Sequence, residues 1–168
     1  MKHKVWILRI VLIALIVGWM IMIFDFSADD GVESQTLSDK ITIKVVHIMK
    51  PNYDSMPRNE QKALFNKVSF IVRKIGHFGE YGLLGLLVTG FLLTFEGIRN
   101  LKKRYIVLFG TLWCFVYALT DETHQLFVQG RSAKIGDVFV DVIGGLLAAV
   151  IIVAIWNKIS KRKNYEKV

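Results

Sequence analysis

The sequence predicts an all-α, polytopic membrane helix bundle with four transmembrane helices. Three observations lead there. The 168 residues are 53% hydrophobic, with a mean hydropathy of +0.42, which is more apolar than a soluble domain of ordinary composition. The apolar residues fall into four long blocks rather than being spread along the chain. The basic residues behind the net charge of +8 flank those blocks, as at the cytoplasmic ends of membrane helices. A chain of this length makes one domain, so residues 1–168 are taken as a single membrane unit. No nucleic-acid motif accompanies the charge, so nucleic acid is not an expected partner. The bilayer is.

The first block, 5–24, is broken only by Arg9. At a rise of ~1.5 Å per residue, ~20 residues cross a ~30 Å hydrocarbon core. A basic start also suits a signal peptide. Phe26, however, stands where cleavage after Ala28 needs a small residue, so an uncleaved anchor is expected. Residues 25–74 form the first outer segment. Asp25, Asp29, Asp30 and Glu33 open it among serines. An amphipathic stretch follows from Leu37 to Met49, with Ile41, Val45, Ile48 and Met49 at helical spacing. Pro51 stops it, and Asn52, Asp54 and Pro57 mark a loop. A second amphipathic stretch runs from Arg58 toward Lys74 through Leu64, Phe65, Val68, Ile71 and Val72. Such helices lie along a membrane surface or pack over the mouth of a bundle, and the pattern leaves both open. The remaining spans are expected at 75–95, 105–125 and 135–156, with a basic tail at 157–168. The single cysteine, Cys114, sits in an apolar block and is read as a small buried residue.

Orientation follows from the charged flanks. The amino terminus, the turn from Arg99 to Arg104 and the tail are short and strongly basic. With an even number of spans all three lie on one side, which is expected to be cytoplasmic. The 25–74 segment and the turn around Gly130 then face outward.

The chemistry rests on polar residues inside the spans. On the second span Arg73, His77, Glu80, Tyr81 and Leu84 follow steps of three and four, so they share a face. On the third, Ala118, Glu122 and Gln125 do the same, with Asp121 one position to the side. On the fourth, Asp137 and Asp141 lead into Gly144, Gly145 and Ala148. The alternating directions of the spans bring these groups to one depth, near the outer ends. Arg131, in the turn between the third and fourth spans, lies at the same level. A carboxylate inside a membrane helix costs about 2.5–3.5 kcal/mol on insertion scales. Glu122 and Asp141 should therefore face the bundle and find partners, and Arg131 can pair two carboxylates through its planar fork. Gly76, Gly79, Gly82 and Gly85 recur every third residue on the second span, and small residues let membrane helices approach closely.

The candidate ligand-binding set is His77, Glu80, Tyr81, Glu122, Gln125, Arg131, Asp137 and Asp141. The bland alternative is an acid–base network that only locks the bundle. His47 and His124 are read as surface or network residues. No close His/Cys spacing accompanies the acids, so neither a metal nor a cofactor is expected. Nucleophile motifs and phosphate-cradling glycine loops are also missing from the sequence.

At these residues the sequence resembles the VanZ-like family of small bacterial membrane proteins. The matching segments are Phe24-Asp25-Phe26-Ser27 with Ser34 and Ser38, the run Arg73 to Tyr81, the run Asp121 to Phe127 with Gly130-Arg131, and Asp137-Val138 with Asp141 and Gly144. Asp141 stands where the family pattern has Asn, and the stretch after Phe26 departs from its Ser-Ser-Gln. The resemblance implies a multi-pass protein of the bacterial plasma membrane. It also implies a contribution to resistance against glycopeptides of the teicoplanin type. A phosphotransbutyrylase label carried by some relatives finds no soluble acyl-transfer domain here. The expected ligand is a cell-wall precursor or a glycopeptide-related molecule held in an outward polar pocket. Two alternatives stand beside it: a membrane enzyme acting on a lipid-linked head group, and a structural bundle that assists another membrane protein. The oligomeric state is left open.

Overall fold

The computed structural model describes residues 2–28, 31–128 and 134–165. Among them the chain forms six α-helices and no strand: α1 (Lys2–Ala28), α2 (Gly31–Met49), α3 (Arg58–Leu92), α4 (Glu96–Arg99), α5 (Lys103–Gln125) and α6 (Ile135–Tyr165), with a short 3-10 turn at Tyr53–Ser55. Four helices are long and apolar enough to cross a membrane, over His3–Ser27, Arg58–Leu92, Lys103–Gln125 and Ile135–Arg162.

α3, α5 and α6 form the centre. The α3–α6 interface is the most extensive and α5–α6 the next. Both need small residues at the crossing. A Cβ on Gly85 would stand 2.7 Å from the carbonyl oxygen of Gly145, and one on Gly145 would stand 2.7 Å from Cys114 Sγ. α3 and α6 therefore touch through backbone at this level, and the Cys114 side chain of α5 presses on Gly145 from the other side, contacts that need glycine at both positions. Tyr81, Leu84, Val88, Cys114 and Ala118 pack around it.

α1 lies along α3 and more lightly along α5. Trp6, Ile7 and Ile10 stay exposed, a surface whose natural solvent is lipid. Polar bonds pin the helix. Arg9 donates to Thr94 Oγ1 and to the Thr94 carbonyl at 3.1 and 3.0 Å, with its guanidinium 3.9 Å from the Phe95 ring centroid. Trp19 Nε1 donates to the Glu80 carbonyl at 2.9 Å, and the Tyr117 hydroxyl donates to the Met20 carbonyl. The one charge that interrupts the first apolar block thus satisfies carbonyl and hydroxyl groups freed at the end of α3.

Three boundaries differ from the sequence reading. The amphipathic stretch at 58–74 is not a separate helix but continues into the span, because nothing between Lys74 and Ile75 breaks it. The resulting 35 residues reach about 52 Å, against a ~30 Å core, so α3 extends well past the apolar region. It stops at Leu92, where Leu93, Thr94 and Phe95 close a turn on Thr89, Phe91 and Leu92. α6 runs through the basic tail to Tyr165, since no glycine or proline follows Gly145 in it.

α2 packs on α3, burying Thr42 and Val46 completely. The two make a hairpin. Its tip is fastened: His47 Nδ1 donates to the Ile43 carbonyl at 2.8 Å and Nε2 lies 3.2 Å from both Asp54 oxygens. The Ile43 carbonyl first, and Asp54 after it, raise the His47 pKa above the ordinary value. Gln61 Nε2 donates to the carbonyls of Tyr53 and Met56. At the opposite end, Leu93, Ile106 and Val153 bury together with Ile98 and Trp156 packed on them. That end carries the basic turn of 99–104, so the bundle has a basic end and a hairpin end.

Candidate functional site

The polar side chains of three spans meet near the hairpin end. α3 contributes Lys74, His77 and Tyr81, whose steps of three and four put them on one face. α6 contributes Asp137 and Asp141 by the same rule, and the α3–α6 contact sets the two faces against each other. Lys74 forms an ion pair with Asp137. One turn deeper, His77 Nδ1 lies 3.4 Å from Asp141 Oδ1. α5 adds Asp121, Glu122 and Gln125, all buried. Gln125 Nε2 donates to Ser27 Oγ of α1 at 2.9 Å. Glu122 Oε2 accepts the backbone N–H of Lys134, immediately before α6, at 2.7 Å. A carboxylate there meets unsatisfied N–H groups and the positive end of the helix dipole.

These groups form one electrostatic site. Asp121 interacts with His77, Asp141 and Glu122, and Lys74 with Asp141 and Glu122. Burial is deep: Asp141 and Tyr81 have no exposed surface, and Asp121 and Glu122 keep 3% and 5%. Hydrogen bonding does not match that burial. Both oxygens of Asp141, Oδ1 of Asp121, Oε1 of Glu122 and the Tyr81 hydroxyl have no hydrogen-bond partner. Buried polar atoms are normally paired, and leaving one unpaired costs about 1–3 kcal/mol. The site therefore holds several acceptors and a hydroxyl with capacity to spare.

Of the residues expected from the sequence, His77, Tyr81, Glu122, Gln125, Asp137 and Asp141 lie at this level. Glu80 is half-buried, and its carbonyl takes the Trp19 bond. Arg131 lies outside the described residues. His47 sits at the hairpin tip, and His124 stacks on Phe24 at 4.3 Å. The candidate set drawn from the sequence lacks Lys74, Asp121, Ser27 and Lys134, although Ser27, Lys74 and Asp121 lie in the segments that carry the resemblance. Lys74 is the end of the amphipathic stretch in the sequence reading, and its three-residue step to His77 is the signal that places it on the same face. Lys134 contributes a backbone N–H, which no side-chain pattern reports. Among the described residues, no group of three or more His, Cys, Asp and Glu side chains is arranged to hold a metal ion.

The profile of the VanZ/LLP1 family matches residues 12–157. The chain belongs to the VanZ/LLP1 family. Comparison with curated proteins and with solved structures gives no match. The VanZ/LLP1 region begins inside α1 and ends one residue after Trp156. It encloses every side chain of the polar cluster and the hairpin, and leaves the end of α6 outside.

Proposed function

We propose that this VanZ-family membrane protein binds a cell-wall-related ligand in a polar pocket that faces outward from the bacterial plasma membrane, and that it thereby contributes to resistance against glycopeptides of the teicoplanin type. His77, Glu80, Tyr81, Glu122, Gln125, Asp137 and Asp141 line the pocket, and Arg131, outside the described residues, is assigned to it from the sequence alone. The observation that carries the reading is the unused hydrogen-bonding capacity of Asp121, Glu122, Asp141 and Tyr81, all at least nine-tenths buried. A bundle built only to be stable has little reason to gather such groups, since apolar side chains of similar volume hold it at less cost. Acceptors in excess favour a ligand rich in N–H and O–H donors, which sugars and peptide stems of wall precursors present.

The test is a set of resistance measurements in a host made resistant by this gene. Glu122→Gln and Arg131→Ala are expected to return teicoplanin sensitivity to that of cells lacking the protein, while membrane extracts still contain it in normal amount. Full resistance in both variants would end the pocket reading. A second reading, an enzyme acting on a lipid-linked head group, draws on the His77–Asp141 approach, because such a pair can move a proton. Turnover of a lipid-linked precursor by the purified protein would replace binding with catalysis.

A further inference from the structure

A concavity lies apart from the polar cluster, between α1, α3 and α5. It is a groove of about 820 Å³, within the ~300–1,000 Å³ of ordinary ligand sites. α5 gives one wall, a stripe from Phe109 to Thr120 at steps of three and four. Val88 of α3 forms the floor and Met20 of α1 the facing wall. Leu112, Trp113 and Val116 stay about half exposed.

We infer that this groove seats an acyl chain of a bilayer phospholipid. The lining offers little to a polar occupant: both of its hydroxyls are used, and the indole N–H of Trp113 is the one other side-chain donor on it. Tyr117 donates to the Met20 carbonyl and Thr120 to the Tyr117 carbonyl. A polar ligand here would bury its groups without partners. The groove opens sideways from the apolar spans, so its mouth is continuous with the surface that meets lipid. The apolar species most abundant at that mouth is the acyl chain. Length agrees as well. From Phe109 to Thr120 the helix rises about 16 Å, roughly half of the ~30 Å core and so the reach of one leaflet's chain. Thr120 precedes Asp121, so one end of the groove lies toward the polar cluster, and Ile98 brings the other to the basic end. The groove and the cluster share no side chain, and the inference stands without the wall-ligand reading.

The experiment uses the full chain in nanodiscs of phosphatidylglycerol doped with the same lipid carrying a diazirine in its acyl chain. After irradiation, labelled positions are read by peptide mass spectrometry. Labelling at Leu112, Trp113 and Val116 is expected to exceed, severalfold, that at Ile143, Leu147 and Ile151 of α6, which are about as exposed. Val116→Trp, filling the groove, should bring α5 labelling down to the α6 level while the protein stays monodisperse. Equal labelling of both helices in the unmodified chain would overturn the inference, whatever the variant does. Suppression of α5 labelling by a small fraction of polyprenyl phosphate, but not by the same amount of added phospholipid, would overturn it in favour of a prenyl chain.

Discussion

Asp141 is the residue on which the site's energetics turn. It has no exposed surface, neither oxygen is hydrogen-bonded, and its close charged neighbour is His77 at 3.4 Å. Breaking a buried pair by removing one member costs about 3–5 kcal/mol, whereas replacing both members is far milder. His77→Ala is therefore expected to lower the thermal stability of the purified full-length protein by an amount in that range. Adding Asp141→Asn to the same chain should recover most of the loss, because an amide needs no counter-charge. Additive losses in the double variant would show that the two side chains do not act as a pair. That both residues face the bundle at one depth was legible in the sequence, from steps of three and four on two spans; that they pair with each other was not, since the sequence named Arg131 as the partner for carboxylates. Glu122's partner was not, because the bond comes from a backbone N–H whose position depends on where α6 begins.

At the scale of the helix, the glycines show why a repeat is not yet a contact. Four glycines at steps of three suggested one smooth stripe from Gly76 to Gly85. Three residues turn a helix through about 300°, so such a stripe drifts by about 60° at every step. Gly76 and Gly79 consequently face open space, Gly82 begins to approach Gly144, and only Gly85 presses on Gly145. Gly85→Ala is expected to destabilise by about 1–3 kcal/mol, the usual cost of overpacking, because the obstructing atoms belong to backbone and cannot swing aside. Gly76→Ala meets no atom and gains up to about 1 kcal/mol of helix propensity. Melting temperatures of the two variants side by side decide it, and equal behaviour would deny Gly85 its role. The same scale explains the hairpin. Amphipathic spacing marked 58–74 as helix, but only the lack of a breaker before Ile75 joins it to the span, and local periodicity does not measure that continuity.

For the whole molecule the question is which end faces the cytoplasm. The basic end gathers the turn of 99–104, the start of α1 and the end of α6, all short segments where Lys and Arg govern insertion. The hairpin is basic as well, with Lys40, Lys44, Lys50, Arg58, Lys62 and Lys67. Its charges weigh less for a physical reason: they sit on a long, folded pair of helices with a fastened tip, and long segments cross with little regard to charge. The hairpin end is therefore expected outside and the basic end inside. Cys114, the sole cysteine, has no exposed surface, so a membrane-impermeant thiol reagent reads only introduced sites. In intact cells Asn52→Cys at the hairpin tip should react at once, and Asn100→Cys in the basic turn only after permeabilisation. The reverse order would turn the polar cluster toward the cytoplasm. A ligand from the cell wall could then no longer reach Glu122 and Asp141, while the acyl groove, which needs only a bilayer beside α5, would be unaffected.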